Sequence, residues 1–326
     1  MTQQKILGIG NSLTDILTQI EDESLLAELQ LPKGSMTHVD AATCLKIGER
    51  LSDFNNTMVA GGSAANTMSG LAQLGVETGF LGMVGEDEIG RFFENEMCKS
   101  KVKPLVLKSK NPSGRVQAMV TPDGERTFAT YLGAALDLSA NDIKPELFEG
   151  WHIFYVEGYL VANPKMLDKA LATAKSLGMK IAIDMASYNM VEDFHDYFKH
   201  IIDNYVDIIF ANEQEAKALT GMEPEDALHF LAKKCEIAVV KVGAKGSYVQ
   251  RGDEVVTIGP MKSQVIDTTG AGDLWAAGFL AGLVKGYGLH KCGMMGGIVA
   301  ANVIEVMGAK MDEARWEKIH EAIAKL

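Results

Sequence analysis

The sequence predicts an α/β protein: a central, mostly parallel sheet of about eight strands, covered by helices on both faces, with a small β lid. Three observations point there. Short apolar runs of β character alternate with helical stretches along most of the chain. Two stretches break that alternation. No repeat, low-complexity tract or linker divides the sequence, so residues 1–326 are read as a single domain.

From the N-terminus, "KILGIG" reads as a strand, residues 40–51 as a helix, "NTMVA" as a strand, Gly62 to Leu74 as a helix of small residues and "TGFLGMV" as a strand. The rhythm resumes with "HIFYVEG", a helix over 164–177, "MKIAIDM", a helix over 192–203, "VDIIFA", helices over 213–220 and 224–234, and "IAVVKVG". Helices between such runs act as crossovers and make the strands parallel. Helix then returns in "AGDLWAAGFLAGLVKGYG", in a second Gly/Ala-rich segment from His290 to Val306, and in a polar segment from Asp312 on. The two interruptions are 18–38, with "TQIEDESLLAELQLPKGSMTH", and 114–131, "GRVQAMVTPDGERTFATY", two alternating strands around the turn residues Pro122, Asp123 and Gly124. Antiparallel pieces have no place inside a layer covered on both faces, so both are expected to project as the lid.

Composition narrows the partners. The chain is 47% hydrophobic and 23% charged, a normal globular balance, and no apolar run reaches the roughly 18 residues a membrane span needs. No basic-then-apolar leader is seen, and the expectation is a soluble, cytoplasmic protein without a membrane partner. Cys44, Cys98, Cys235 and Cys292 lie far apart without metal-ligand spacing and are expected to be reduced thiols. A net charge of −12 argues against a nucleic-acid partner, whereas one local pocket of backbone N–H groups can still hold a small anion.

Which anion site is present can be asked motif by motif. "GIGNSL" starts like a dinucleotide fingerprint, but Leu13 stands where the third glycine belongs, and no P-loop pattern occurs. "DTTGAGD" is different. Gly270, Ala271 and Gly272 let the backbone approach a ligand, and the first N–H groups of the following helix are unpaired and carry the positive end of its dipole. An acid in that turn, Asp273, would repel a permanently bound phosphate. It suits phosphoryl transfer, where donors stabilise the spreading charge and the carboxylate accepts the proton of an attacking hydroxyl. Read blandly, Asp273 complements the helix dipole, worth roughly 0.3–1 kcal/mol.

"DTTGAGDLWAAGFL", from Asp267 to Leu280, resembles the C-terminal signature of the PfkB, or ribokinase-like, carbohydrate kinases. "GGSAANTMSGLAQLGVETGFLGMVG", from Gly61 to Gly85 and followed by "GEDEIG", is similar to their N-terminal signature, with Met68 where a small residue is usual. The resemblance covers nearly the whole chain. It implies a ribokinase-like α/β/α sandwich, ATP as phosphoryl donor, magnesium, and a sugar or nucleoside as acceptor.

The resemblance also implies roles. Asp273 becomes the general base and Gly270, Ala271 and Gly272 its anion hole; Asn11, Asp15, Gly62, Ser63 and Asn66 become the acceptor cradle. In "FANEQEAKAL", Asn212 falls near the ATP phosphates and Glu215 acts on magnesium through water; the same pair also reads as a helix capping box. "VVKVGAKGSYV" resembles the nucleotide loop through Gly243 and Gly246, with Lys241 in place of the usual Thr and adding a cation near the phosphates. Asp267 and Thr269 resemble part of a monovalent cation site, for potassium, found in many members.

The acceptor is argued separately. "GNSLTDI" and the long segment after it are more similar to the adenosine-kinase-like branch, so a ribonucleoside 5′-hydroxyl leads, with a free sugar of ribose or fructose type as the alternative and a binding-only sensor as a third reading. Phe128, Tyr131 and Tyr159 can wall a base pocket or pack in the core. The family's lids often pair into homodimers, and the apolar face of 114–131 is the place for such a contact.

Overall fold

Strands buried on both faces read as unbroken apolar runs, and such runs build the main sheet. A computed structural model describes residues 4–326. Its strands, in chain order, are β1 (Ile6–Ile9), β2 (Leu13–Gln19), β3 (Met36–His38), β4 (Asn56–Gly61), β5 (Thr78–Gly85), β6 (Val102–Ser109), β7 (Gly114–Val120), β8 (Arg126–Tyr131), β9 (Ile153–Glu157), β10 (Lys180–Asp184), β11 (Ile208–Asn212), β12 (Ile237–Lys241), β13 (Ser247–Arg251) and β14 (Glu254–Ile258). Nine of them form one sheet in the order β14-β13-β12-β11-β10-β9-β1-β5-β6. All neighbours are parallel except the terminal β12–β13–β14 meander. Pro104, which cannot donate to a ladder, sits in the edge strand β6, where the loss is tolerated.

One face of this sheet packs against helices Ser63–Gln73, Ala271–Val284, Leu289–Val303 and Glu313–Ala324, the other against Pro164–Ser176, Tyr188–Asp193, His195–Asn204, Glu213–Thr220 and Pro224–Leu231. The expected helix over 192–203 is two, because Ser187 caps an earlier start and the chain is reset at Phe194. Each fully buried Phe or Leu in these two cores is worth about 1.5–3 kcal/mol.

The remaining five strands form a second sheet, β3-β8-β7-β2-β4. The 114–131 hairpin lies in it as β7 and β8, but it also recruits β2 and β4, so "NTMVA" belongs here and not to the parallel layer. Its outer face has its own small core with Ile47 and Leu51 from helix Ala41–Arg50 and its C-cap. On the other face, Asp15, Val116, Thr130 and His38 share one cross-strand row.

Two local packings explain motif residues. In "GEDEIG", Asp87 caps helix Glu88–Lys99 by accepting from Gly90 N–H at 2.8 Å, and a Cβ on Gly90 would lie 2.3 Å from the Gly85 carbonyl. Met68 is fully buried and folds over Gly8 of β1, where a Cβ would meet its Cγ at 2.7 Å, so the large residue is accommodated by a missing one opposite.

Candidate active site

In open parallel sheets the strand ends lead into a crevice, and here five of the C-terminal ends supply a polar side chain. Asn11 follows β1; Glu157 ends β9, Asp184 ends β10, Asn212 ends β11 and Lys241 ends β12. They line one cavity of about 1460 Å³, larger than the roughly 300–1,000 Å³ of a single-ligand pocket, so two molecules fit side by side.

Asp273 lies at its centre, the third residue of helix Ala271–Val284. Two small-residue helices put it there. A Cβ on Gly70 would lie 2.7 Å from Leu274 Cδ1, so helices Ser63–Gln73 and Ala271–Val284 touch closely enough for their first turns to meet. As a result Ser63 Oγ donates to Asp273 Oδ1 at 2.7 Å and Asn66 Nδ2 donates to Oδ2 at 3.0 Å. Crowding by protein pushes the Asp273 pKa up to about 6, with Asp184 adding to the rise and the two donors and Lys241 opposing it.

Gly270 starts this helix with φ 75°, a left-handed turn that glycine adopts without strain, and a Cβ there would lie 2.5 Å from Ala309 Cβ. The tight turn lets the Ala271 N–H bond the Thr268 carbonyl at 3.2 Å, which takes it out of the three-donor hole expected over Gly270 to Gly272. Gly272 and Asp273 supply the first helical N–H groups without an acceptor among the described residues. Lys241 Nζ stands 3.1 Å from where a Gly272 Cβ would be, which places a cation beside these donors.

Lys241 is paired: its Nζ donates to Asp184 Oδ2 at 2.9 Å, with both side chains largely buried. Burial works against the Lys241 charge, but the Asp184 and Glu215 carboxylates outweigh it and hold the pKa above its ordinary value. Asn212 and Glu215 form the complete capping box of helix Glu213–Thr220: Asn212 Oδ1 accepts from Glu215 N–H at 2.9 Å, and Glu215 Oε2 accepts from Asn212 N–H at 2.7 Å. Both also face the cavity, and burial next to Asp184 raises the Glu215 pKa.

Asp15, Gly62, Ser63 and Asn66 line the same cavity. Burial raises the Asp15 pKa to about 6, against the fields of Lys310 and Arg126. Gly62, with φ 93°, brings β4 against the Asn11 carbonyl, 2.4 Å from a Cβ built there. Sequence reasoning missed Glu157. It is 2% exposed, accepts from Asn11 Nδ2 at 2.8 Å and Ala64 N–H at 3.0 Å, and burial lifts its pKa to about 7. It also missed Asp184; a lone carboxylate closing an apolar run, as in "IFYVE" and "KIAID", was the available signal. Of the three aromatic candidates Tyr159 lines the cavity, whereas Phe128 and Tyr131 do not; Leu13, Val116 and Leu132 supply apolar wall instead.

All predicted site residues therefore line one cavity except Asp267, which lies behind it. Asp267 accepts from Thr269 N–H and hydroxyl at 3.0 and 2.8 Å, from Gly308 N–H at 2.6 Å, and from Arg126 Nη2 at 2.5 Å.

The same architecture recurs in solved structures. A probable sugar kinase from Rhizobium etli is 31% identical with a TM-score of 0.86, covering 99% of both chains. An adenosine kinase from Sinorhizobium meliloti is 34% identical with a TM-score of 0.85, covering 98% of this chain and 100% of that one. The fold is thus that of the ribokinase-like kinases, phosphotransferases with an alcohol group as acceptor. Residues 37–315 match the pfkB family of carbohydrate kinases, and the chain belongs to that family as a sugar or nucleoside kinase. An adenosine kinase from Saccharomyces cerevisiae is 28% identical, covering 93% of this chain and 95% of its own. Among the described residues no helix is long and apolar enough to cross a membrane.

Proposed function

We propose that the chain transfers the γ-phosphoryl group of ATP to the 5′-hydroxyl of an adenosine-like ribonucleoside, with Asp273 as general base. One observation carries the chemistry: a carboxylate gripped by Ser63 and Asn66 lies in the same helical turn as N–H donors that have no acceptor among the described residues. Those donors stabilise charge on the phosphoryl group in transfer, and Asp273 takes the hydroxyl proton. A loose transition state asks for that proton late, so a carboxylate with a pKa of about 6 is basic enough.

Lys241 and the Gly243 and Gly246 loop serve the ATP side, and Asn212 the phosphates. Six carboxylates, of Asp15, Glu157, Asp184, Glu213, Glu215 and Asp273, line the cavity with Lys241 and Lys262 as its lysines, a balance that suits an entering divalent ion. Asp184 and Glu215, side by side at the strand ends, would hold magnesium, which would supply charge neutralisation on the phosphates.

On the acceptor side Asp15 accepts from vicinal ribose hydroxyls. The apolar wall of Leu13, Val116 and Leu132 favours a flat base over a free sugar, which would present hydroxyls all round. The named adenosine kinases of Sinorhizobium meliloti and Saccharomyces cerevisiae support the same choice. The test is ATP turnover against a panel of nucleosides and sugars. Adenosine or a close analogue should give the highest kcat/KM; turnover of ribose or fructose with none of any nucleoside would transfer the assignment to a free-sugar kinase.

A further inference from the structure

The resemblance implies a monovalent cation at Asp267 and Thr269, and the donors around Asp267 do not fit one. A carboxylate offers about four lone-pair positions. Four donors already crowd it: Thr269 N–H, the Thr269 hydroxyl and Arg126 Nη2 converge on Oδ1 at 3.0, 2.8 and 2.5 Å, more than that oxygen's two lone pairs, and Gly308 N–H holds Oδ2 at 2.6 Å, which leaves one direction there. The positive charge is present as well. Arg126 and Asp267 side chains are 18% and 4% exposed, and the guanidinium is braced over the Phe128 ring at 5.7 Å. Against the cost of burial, these partners hold the Asp267 carboxyl down at about 2.

The position of the pair matters. Arg126 belongs to β8 of the five-stranded sheet, whereas Asp267 belongs to the loop that runs into the Gly270 turn. That loop is tied down by Ile266 N–H and Asp267 N–H to the Ile304 carbonyl, at 2.8 and 3.2 Å, and by Gly308. Asp267 accepts from the second sheet, from the 304–308 segment and from the turn that approaches the anion hole.

We propose that the Arg126 guanidinium is the resident cation of the Asp267 loop, holding the Gly270–Gly272 turn in place without an inorganic monovalent ion. Arg126 is a positioning residue that acts through Asp267. This inference is independent of which acceptor is phosphorylated, because its first measurement needs none.

The melting temperature of the full-length protein is measured in potassium, sodium and tetramethylammonium chloride at one fixed ionic strength, with and without ATP and magnesium. Turnover is then measured in the same salts with the acceptor that the panel returns. For the natural chain both readouts should agree across the three salts to within roughly twofold in rate, since general screening is held constant. Potassium raising either its stability or its rate by about fivefold or more in the equilibrium or rate constant over tetramethylammonium overturns the proposal.

Arg126→Gln removes the charge. It should lose about tenfold or more in tetramethylammonium. It should also recover several-fold in potassium and acquire a potassium-specific rise in melting temperature that a merely structural arginine would not leave behind. A folded Arg126→Gln chain indifferent to potassium overturns the proposal. If this variant folds in no salt, Arg126→Lys decides: retained ion indifference supports the assignment, and a potassium response refutes it.

Discussion

Replacing Ser63 with alanine should move the acid limb of the rate profile upward. The Ser63 hydroxyl donates to Asp273 at 2.7 Å and favours the ionised carboxylate. A hydrogen bond to a charged group contributes about 1.5–3 kcal/mol, and one pKa unit corresponds to about 1.4 kcal/mol, so its loss alone predicts a rise of about one to two units. Asp273 borders the cavity and water can partly replace the hydroxyl, which brings the expectation down to about one unit. The midpoint should therefore pass from about 6 to about 7. The sign follows from the role: the base must be unprotonated, so the variant loses rate on acidification earlier than the natural chain. At pH 7 roughly nine-tenths of natural sites and about half of variant sites would be armed. The assay is direct chromatographic measurement of ADP at limiting ATP and acceptor between pH 5 and 8, so that kcat/KM reports the free enzyme. Near pH 8 the variant should approach the natural rate. A uniform loss at every pH with an unmoved midpoint would show that Ser63 does not tune the base.

Asp273→Asn should lower turnover by about 10²–10⁴-fold while raising stability at pH 7.5 by about 2 kcal/mol. An acid whose folded pKa is raised weakens the fold above its unfolded pKa, so the gain should fade as pH falls toward 4; calorimetry at the two pH values checks it. Glu157→Ala leaves the buried Asn11 and Ala64 donors without their acceptor and should cost about 2–4 kcal/mol by urea unfolding. Lys241→Met strands the buried Asp184 carboxylate and should cost about 3–5 kcal/mol, with a raised KM for ATP; a KM unchanged in steady-state kinetics would remove Lys241 from the donor site.

Much of the parallel layer was legible because strands such as β10 and β11 are buried on both faces and leave no polar interruption. Strand β6 was not, since at the sheet edge it carries Lys103, Pro104 and Lys108 and reads as a loop. Strand β2 was hidden for another reason: "LTDILTQ" alternates weakly and sits within a few residues of β1. The site divides in the same way. Asp273 and its glycines are contiguous, so one stretch shows the turn and its acid. Glu157, Asp184 and Arg126 act through partners far away in the chain, and no local pattern marks such a pairing. Met68 reads as an anomaly until Gly8 is seen opposite it.

The bonds that grip Asp273 join residues 210 and 207 positions apart in the chain. Neither half of the sequence can therefore assemble this hydrogen-bonded carboxylate by itself. A nascent chain still on the ribosome exposes the Ser63 helix long before the Gly270 turn exists, and a nicked or partly unfolded molecule loses the grip along with the packing between the two helices. Competence to spend ATP thus switches on only when the ends of the chain have met, and it switches off with the same event in reverse.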